Sequence, residues 1–546
     1  MPKLIIDGQE IDVAPGTNLI EAARQLGIEI PHYCYHPGLS IAGQCRLCMV
    51  DIEKTPRPTI ACNTQCADGM VVSTQTDRVK ETRRSIMEFH LINHPLDCPV
   101  CDQAGECWLQ IYYMKYGLYD PRMVDEKVHK PKALPLGPHV MLDAERCILC
   151  SRCVRFCDEI TGTGELGIFN RGDHSEIGLF PGRDLENKYS GNVVDICPVG
   201  ALTDRDFRFQ VRVWYLDTAK SICPGCARGC NIEVHVNRRR PHHAGGKRVA
   251  RLKPRFNADV NKWWLCDEGR YGYGFVDDAS RLTMPVWRGE PVPWDTAIAE
   301  TARVLGRHAP DAVGVLASPK MANEDLIAVK RLAEALGSHD VGFRVPPRTP
   351  GDQDDLLIRA DKNPNTRGGE LIGLDGDVAA ILEAARNGRI KALWVFGHDL
   401  FDSTWPEADV TRALRALETL IFTGTNANRT SALAQLVLPA AAWVERDGTF
   451  TNFQGRVQRF RPAAEPVERD GTFTNFQGRV QRFRPAAEPL REVRPEWDIV
   501  GQVLGTLGHA GTATRAEHWF VELAANVEAF RGMTYQSVGD TGRMAQ

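Results

Sequence analysis

The sequence predicts a multi-domain protein in which small α+β domains built around cysteines precede a larger α/β domain. The chain has 546 residues, which is too many for one ordinary domain. All 17 cysteines lie at or before Cys266, so the last 280 residues contain none. Beyond that point, helical and strand-like segments alternate, as they do in proteins with a mainly parallel sheet.

The composition is that of a folded, soluble protein, with 43% hydrophobic residues and a net charge of -4. This charge does not favour a nucleic-acid partner. The best apolar stretch, 432–444, is interrupted by Gln435 and Pro439, so we expect no membrane-spanning helix. The N-terminus lacks the basic and apolar segments of a signal peptide, which predicts a cytosolic chain. Cytosolic thiols are kept reduced, so crowded cysteines indicate metal or redox chemistry rather than disulfides.

The first cysteine set has the spacing C-x10-C-x2-C-x13-C and consists of Cys34, Cys45, Cys48 and Cys62. Before it come the strand-like LIIDGQEIDV and a short helix capped by Asn18, with Glu21 as its capping-box partner and Gly27 at its end. These features indicate a small β-grasp ferredoxin domain with a [2Fe-2S] cluster, in which Gly43 lets backbone N–H groups approach the sulfurs. Zinc is the alternative, although a single C-x2-C with two lone cysteines is a weak zinc pattern.

The second set contains only three cysteines and has the spacing H-x3-C-x2-C-x5-C, formed by His94, Cys98, Cys101 and Cys107. A four-iron cluster needs one ligand for each iron, so a nearby imidazole is the natural fourth ligand. His90 is a rival to His94, and a histidine near cysteines is often only a packing or capping residue. The family resemblance described below favours His94.

The third set consists of Cys147, Cys150, Cys153 and Cys197. Three cysteines two residues apart and a distant Cys-Pro form the arrangement of bacterial ferredoxins. Cys157 extends the local run but no second triplet follows, so we predict that Cys157 and Cys66 are spare thiols packed as small apolar residues. The glycines of a G-x-G-x-x-G at 162–167 follow this run rather than a strand, which disfavours a nucleotide site.

The fourth set consists of Cys223, Cys226, Cys230 and Cys266. A zinc ribbon would show two C-x2-C pairs, and only one is present. The motif CPGCARGC followed by WLCDEGR resembles the cluster-binding entry of molybdopterin-type oxidoreductases. The basic segment RRRPHHAGGKRVARLKPR between them is interpreted as an insertion, either a solvated face or a contact for an acidic partner subunit.

Taken in order, the cysteine motifs resemble those of the large iron-sulfur subunit of the proton-pumping NADH-quinone oxidoreductase (respiratory complex I). The motifs are GQCRLC, HPLDCPVCDQAGEC, CILCSRCVRFC, DICPVGAL, CPGC and WLCDEGR. The resemblance is specific up to about residue 275 and looser beyond. It implies a [2Fe-2S] cluster on the first set and a [4Fe-4S] cluster on each of the other three, with no molybdenum. In that family the first three clusters carry electrons from the flavin subunit toward quinone, and the fourth lies off the main path.

The resemblance also implies a place for the chain in a larger assembly. The expected partners are other peripheral-arm subunits of complex I, including the NADH- and FMN-binding subunit and downstream iron-sulfur subunits. We expect no nucleic acid, only indirect contact with the membrane, and a peripheral position on the cytoplasmic side of the bacterial inner membrane. The sequence shows no nicotinamide, flavin or P-loop motif, so we expect no complete active site and no catalytic residue in this chain alone.

Two other kinds of protein remain as alternatives. The catalytic subunit of an iron hydrogenase or a formate dehydrogenase could carry the same N-terminal array, but each needs further ligands, which the cysteine-free C-terminal half disfavours. A non-catalytic structural or sensor protein is the other alternative, although four ligand sets in one chain are more simply explained by an electron relay.

The domain boundaries follow from the cysteine sets. We predict a [2Fe-2S] domain at 1–77, a one-histidine, three-cysteine domain at 78–117, a linker at 118–139, a ferredoxin-like [4Fe-4S] domain at 140–216, a molybdopterin-type [4Fe-4S] domain at 217–275 and a degenerate molybdopterin-oxidoreductase-like α/β domain at 276–546. In the last domain, AVGVLAS, KALWVFGHDL and ETLIFTGTN are predicted strands. TAIAETARVLGRHA and EDLIAVKRLAEALG are predicted helices, and RVPPRTPGDQDD and ADKNPNTRGGE are predicted loops.

A 23-residue segment, VERDGTFTNFQGRVQRFRPAAEP, occurs at 444–466 and again at 467–489 without one change. A solenoid needs at least three units, so two identical copies indicate recent tandem duplication or a sequence-assembly error. Each copy alternates well enough to form a hairpin, around Gln454-Gly455 or Gln477-Gly478. One docking groove accepts one copy, so we predict that one packs on the α/β domain and the other is a mobile surface loop, which chain entropy tolerates.

Overall fold

The structure is a computed structural model that describes residues 1–120, 122–463, 471–474, 480–483, 493–509 and 513–546. The chain forms two compact units, Met1–Leu216 with His243–Gly245 and Asp217–His242 with Gly246–Gln546. Among the described residues, no helix has both the length and the apolar character needed to cross a membrane.

The first unit begins with a five-stranded sheet in the order β2-β1-β5-β3-β4. Its strands are β1 (Lys3–Ile6), β2 (Gln9–Asp12), β3 (Met49–Ile52), β4 (Thr59–Ile60) and β5 (Val71–Ser73). Strands β1 and β5 pair in parallel, and the other neighbours are antiparallel. Helix α1 (Leu19–Gln25) buries its apolar residues in the same core as Leu4 and Ile6 of β1. This is the predicted β-grasp arrangement, and that prediction is confirmed.

The predicted cap of α1 forms in part. The Asn18 side chain accepts a hydrogen bond from the Glu21 backbone N–H at 3.0 Å, and Gly27 has a φ of +74° after the helix. The Glu21 carboxylate does not complete a capping box. It accepts from the Tyr35 hydroxyl at 2.7 Å and pairs with Arg24 at 2.8 Å, so the structure uses it to tie α1 to the cysteine loop.

The remainder of the first unit carries two helices and two small sheets. Helices α2 (Asp77–Leu91) and α3 (Trp108–Tyr116) flank the loop 92–107. One sheet has the order β10-β7-β6, with β6 (Leu134–Pro135), β7 (Val140–Leu142) and β10 (Leu202–Asp204), and the other pairs β8 (Leu166–Phe169) with β9 (Glu176–Leu179). Helices α4 (Arg152–Glu159) and α5 (Asn192–Ile196) complete this part. The glycine run at 162–167 leads from α4 into β8, the reverse of the order in a dinucleotide site.

The second unit begins with an antiparallel sheet of β11 (Asp217–Ile222), β12 (Asn231–Val236) and β13 (Val249–Pro254), followed by α6 (Asp267–Tyr271). The interpretation of the basic segment 238–255 as an insertion is wrong for its second half. That half forms β13, because Val249, Ala250 and Leu252 are buried while the basic residues between and after them are partly exposed.

The core of the second unit is a seven-stranded sheet in the order β15-β14-β20-β19-β18-β16-β17. Its strands are β14 (Val286–Trp287), β15 (Glu290–Pro291), β16 (Val313–Leu316), β17 (Asp340–Gly342), β18 (Ala392–Phe396), β19 (Thr419–Gly424) and β20 (Leu436–Pro439). Strands β16 to β20 are parallel, and β14 and β15 are antiparallel at one edge. The helices are α7 (Trp294–Gly306), α8 (Asn323–Leu336), α9 (Thr366–Ile372), α10 (Val378–Arg386), α11 (Glu407–Ala416), α12 (Glu496–Thr506), α13 (Ala516–Asn526) and α14 (Tyr535–Val538).

Helices cover both faces of this sheet. Along β18, Trp394 and Phe396 pack in the apolar cluster that contains residues of α7, α8, α12 and α13. Leu393 and Val395 pack in a second cluster with residues of α10 and α11. Strands buried on both faces are expected to be continuously apolar, as β18 is. The predicted α/β class, with its three strands and two helices, is confirmed.

The prediction of a loop at 360–370 is wrong from Thr366, where α9 begins. Two glycines, which are unfavourable inside helices, suggested a loop. Here they allow close packing, since a Cβ on Gly369 would lie 2.0 Å from Cζ of Phe343 and one on Gly368 would lie 2.2 Å from Oδ1 of Asn323. Tertiary contacts therefore override local propensity.

The first copy of the repeat forms the predicted hairpin, with β21 (Gly448–Thr451) antiparallel to β22 (Arg456–Phe460), which also pairs with β25 (Arg543–Met544). The Asn323 side chain of α8 donates to the hydroxyls of Thr449 and Thr451 at 2.9 and 3.0 Å. One copy therefore packs on the α/β domain, as predicted. In the second copy β23 (Gly471–Thr474) pairs with β24 (Val480–Phe483) in the equivalent register. The predicted mobile loop otherwise lies outside the described residues.

Candidate metal centres

The first cysteine set is buried against the β-grasp sheet. Cys45 and Cys48 lie in the loop before β3, Cys62 lies in the turn after β4, and all four thiols belong to the apolar interior. The Tyr33 N–H donates to the sulfur of Cys45 at 3.4 Å, and the backbone N–H groups of Gln44 and Cys45 help to lower the pKa of Cys34. Gly43, with a φ of +63°, precedes these donors. The loop thus does what Gly43 predicted, presenting N–H groups to a sulfur that carries negative charge.

The thiols of this set act on one another. Hydrogen bonding with Cys45 lowers the pKa of Cys34 to about 5, and the same contact raises the pKa of Cys45. A second contact lowers the pKa of Cys62 and raises that of Cys48. Buried thiols in contact cannot all ionise unless a cation is present, and iron would supply that charge. The donor set fits a [2Fe-2S] cluster.

His94 has the environment of a ligand. Its Nδ1 atom is buried and has no hydrogen-bond partner among the described residues, and burial lowers the pKa of the ring to about 4, so the imidazole is neutral, as a metal ligand must be. His94, Cys98 and Cys107 line one cavity. The rival His90 is engaged elsewhere, because its Nε2 lies 3.2 Å from the carbonyl oxygen of Cys45. The structure therefore supports His94 over His90.

The third set surrounds a small apolar cavity whose lining includes all four predicted ligands, Cys147, Cys150, Cys153 and Cys197. The pKa of Cys147 and that of Cys197 are both raised to about 12. Burial is the main cause, and the neighbouring Cys150 adds to the effect on each thiol. Leu149 and Ser151 both have positive φ angles, 53° and 58°, so the CILCSRC loop winds tightly around this cavity. The four donors converge although 44 residues separate Cys153 from Cys197.

The fourth set lies in the second unit. Cys223, Cys226 and Cys230 occupy the loop between β11 and β12, which the Cys223 N–H closes by donating to the carbonyl of Cys230 at 2.8 Å. Cys266 immediately precedes α6, and the Gly269 N–H donates to its sulfur at 3.3 Å. A Cβ on Gly269 would lie 2.9 Å from the sulfur of Cys223, so WLCDEGR requires this glycine.

Three contacts that sequence reasoning missed join the second and third sets. The Trp108 N–H, next to Cys107, donates to the carbonyl of Pro198, next to Cys197, at 2.9 Å. Gly200 lies against Cys101, since a Cβ there would be 2.3 Å from its sulfur. The only sequence signal for these two contacts is the glycine in DICPVGAL.

An ion pair makes the third contact. Asp97, which precedes the predicted ligand Cys98, accepts two hydrogen bonds from Arg146, at 3.1 and 2.6 Å. Arg146 in turn precedes the predicted ligand Cys147. This bidentate pair fixes the two ligand loops against each other.

Two cysteines lie outside the predicted ligand sets. Cys157 is fully buried on α4 and Cys66 is 7% exposed, which agrees with packing as small apolar residues.

Within the described ranges, no group of three or more His, Cys, Asp or Glu side chains has the geometry of an assembled metal site. The ligand assignments therefore remain predictions, which shared burial, mutual pKa effects and donor chemistry support.

A cavity of about 540 Å³ opens at the carboxyl ends of the parallel strands in the second unit. Ser318 follows β16, Gly397 follows β18 and Asn426 follows β19 in its lining, a position where α/β sheets commonly bind ligands. Gly225 and Gly269, which are neighbours of the fourth set in the sequence, also line it, but no cysteine does. The expectation of no molybdenum remains a prediction.

Family models match five parts of the chain in order. They are "2Fe-2S iron-sulfur cluster binding domain" at 3–77, "NADH-ubiquinone oxidoreductase-G iron-sulfur binding region" at 83–122, "NADH-quinone oxidoreductase subunit 3, ferredoxin-like domain" at 137–203, "Molybdopterin oxidoreductase Fe4S4 domain" at 216–278 and "Molybdopterin oxidoreductase" at 365–467 and 462–505. The chain therefore contains a two-iron domain, four-iron domains and a molybdopterin-related domain, which confirms the predicted fold class.

The chain is similar to curated subunits of NADH-quinone and NADH-ubiquinone oxidoreductases. The G-type subunit of the NADH-quinone oxidoreductase of Streptomyces coelicolor is 41% identical over 62% of this chain and 40% of its own length, and that of Rickettsia felis is 39% identical over 62% and 50%. The mitochondrial NADH-ubiquinone oxidoreductase 78 kDa subunit of Neurospora crassa is 38% identical over 63% and 46%. The chain spans about half the length of these relatives. The resemblance predicted from the motifs is confirmed.

Proposed function

We propose that this chain is the iron-sulfur electron-relay subunit of a NADH-quinone oxidoreductase, passing electrons from an NADH- and FMN-binding subunit toward quinone. Proton translocation is a property of the whole complex. The relatives named above support this role, as does the order of iron-sulfur domains along the chain. The clusters, when bound, supply the one-electron chemistry.

The observation that carries the proposal is a single apolar cluster in the first unit that reaches three ligand sets. Cys34 and Cys45 of the first set, Cys107 of the second and Cys150 of the third are buried in it. Cys147 and Cys197 pack against it. A relay needs its centres to be close and shielded from water, and one continuous apolar cluster provides both conditions.

The residues between the sets keep water out. Tyr33 is fully buried, donates to the sulfur of Met87 at 3.2 Å, and lies 5.7 Å from the ring of Tyr112. Tyr33 also stands edge-on to His90, with ring centroids 5.0 Å apart. These aromatic side chains fill the space that joins the first set to α2 and α3.

In the proposed site, Cys34, Cys45, Cys48 and Cys62 hold the [2Fe-2S] cluster. Three [4Fe-4S] clusters are held by His94 with Cys98, Cys101 and Cys107, by Cys147 with Cys150, Cys153 and Cys197, and by Cys223 with Cys226, Cys230 and Cys266. The fourth cluster lies in the second unit and is proposed to stand off the main path.

A partner is proposed to dock beside the second set. The cavity lined by His94 is apolar and has a volume of about 490 Å³, and Leu96, Met114 and Tyr119 in its lining are 75%, 70% and 75% exposed. Apolar side chains exposed together mark interaction sites. A downstream iron-sulfur subunit placed here would be next to the second cluster. The assembled complex is proposed to hold the chain peripherally at the cytoplasmic side of the inner membrane.

The test is reduction of the purified, cluster-loaded chain with and without its flavin subunit. We expect dithionite to reduce the clusters of the chain alone, and NADH to reduce them only when the NADH- and FMN-binding subunit is added. EPR resolves the two-iron and four-iron signals. Reduction by NADH without that subunit would contradict a pure relay.

The same preparation separates the alternative enzymes. A hydrogenase would oxidise hydrogen and a formate dehydrogenase would oxidise formate without any added subunit, and we expect neither activity. A structural or sensor protein would keep its clusters but would not pass electrons to quinone in the assembled complex.

A further inference from the structure

Two arginines of the first unit are buried without an acidic partner among the described residues. Arg152 is 8% exposed, and its Nη atoms donate to the carbonyls of Ile196, at 3.1 Å, and Tyr35. Arg83 is fully buried and donates to the carbonyl of Met49 at 3.4 Å. Within the described part of the chain, the Nε atoms of both have no hydrogen-bond partner. A guanidinium cannot lose its charge in a protein, and burying it unpaired is costly.

The position of Arg152 shows which anions could balance its charge. Tyr35 follows Cys34 of the first set, and Ile196 precedes Cys197 of the third set. Burial lowers the pKa of Arg152, and four nearby sulfurs raise it. These sulfurs belong to Cys150, Cys197, Cys45 and Cys34. Arg152 therefore lies between the first and third sets.

Arg83 differs in its neighbours. Burial lowers its pKa, and the groups that oppose this effect are Tyr116, Cys48, Asp7 and Tyr112. Its guanidinium carbon lies 5.3 Å from the centroid of the Tyr116 ring. Met49, whose carbonyl accepts from Arg83, follows Cys48 of the first set, and Cys48 is the one proposed ligand named among these opposing groups.

We propose that Arg152 is a shared counter-ion of the first and third clusters, favouring the reduced form of both, and that Arg83 serves the first cluster alone. The inference rests on the proposed ligand sets. Each cluster gains one electron on reduction, and no bond forms or breaks. The added electron makes the cluster more negative, so a fixed positive charge nearby, in a medium of low dielectric, raises its reduction potential.

The test is a redox titration of the cluster-loaded full chain, with dithionite as reductant and EPR as the readout. Arg152→Gln should lower the reduction potentials of the first and third clusters. We expect their oxidised-to-reduced ratio to rise at least about tenfold at a given potential, which equals about 59 mV for one electron. The second and fourth clusters should keep their potentials. Arg83→Gln should shift the first cluster alone. The control is Arg57→Gln, since Arg57 is exposed in the loop between β3 and β4.

A charge-retaining variant separates electrostatics from scaffolding. Arg152→Lys keeps the positive charge but loses the two-pronged contact with the carbonyls of Tyr35 and Ile196, and its potentials should stay near those of the unchanged chain. Loss of the clusters in both Arg152 variants, or unshifted potentials in Arg152→Gln, would overturn the inference. Failure of the proposed relay would look different, because NADH would then not reduce the clusters through the flavin subunit, a step that the dithionite titration does not use.

Discussion

At the scale of single residues, Gly200 decides whether the second and third ligand sets fit together. Gly200→Ala would place a methyl group 2.3 Å from the sulfur of Cys101, a distance that real structures do not allow. We expect the second cluster to be lost in most molecules, with its EPR signal reduced several-fold. Gly274→Ala is the matched control, because a Cβ there meets nothing within 4 Å. A full second-cluster signal in Gly200→Ala would show that Cys101 is not a ligand in this position.

Two cysteines of one motif, Cys147 and Cys157, should behave differently. Cys147 lines the cavity of the third set, whereas Cys157 is buried on α4 and is not part of that lining. Cys147→Ala should abolish the third cluster and destabilise its domain, since metal binding is coupled to folding. Cys157→Ala should leave all four EPR spectra unchanged. If the Cys157 variant loses a cluster, the assignment of Cys197 as the fourth ligand must be revised.

At the scale of elements, the first copy of the repeat is held by buried charges. Arg446 at its start is 6% exposed and pairs with Asp325 of α8 at 2.5 Å and with Glu496 of α12 at 2.9 Å. The molybdopterin-oxidoreductase family model matches this region in two pieces, 365–467 and 462–505, that meet where the first copy ends. We therefore expect the fold to need one copy.

Deletion of residues 467–489 tests this directly. Because the copies are identical, the shortened chain retains one complete copy, and we expect unchanged cluster content and unchanged assembly with partner subunits. Adding Arg446→Met to the shortened chain should lower its stability by about 3–5 kcal/mol, since removal of one partner leaves buried charge unpaired. Thermal unfolding measures the difference. Loss of assembly on deletion alone would mean that both copies are structural.

At the scale of the whole molecule, the prediction is elemental. One two-iron and three four-iron clusters require about 14 iron atoms per chain, with neither zinc nor molybdenum in stoichiometric amount. Elemental analysis of anaerobically reconstituted protein measures these ratios. One molybdenum per chain would favour the formate dehydrogenase alternative, and a zinc ion in place of the two-iron cluster would revive the zinc interpretation of the first set.

The sequence by itself determined the features whose information is local. The cysteine spacings predict the ligand sets because each loop places most of its donors within a few residues. The β-grasp domain, the alternation of β16, α8 and β18, and the hairpin of the repeat follow from hydrophobic period and turn residues over short windows. Here the relatives and the structure agree with the prediction of fold class.

Only the tertiary structure decided which sets touch and through which residues. The pair Asp97–Arg146 joins positions 49 residues apart, and Arg152 contacts the carbonyl of Tyr35 across 117 residues. No local pattern encodes such contacts, because they arise when separate loops pack into one core. The same reason explains α9, whose glycines resemble a loop in sequence but fit against Phe343 in the fold. Burial of Arg152 between two cysteine loops, rather than its place in either motif, is what gives that residue its proposed role.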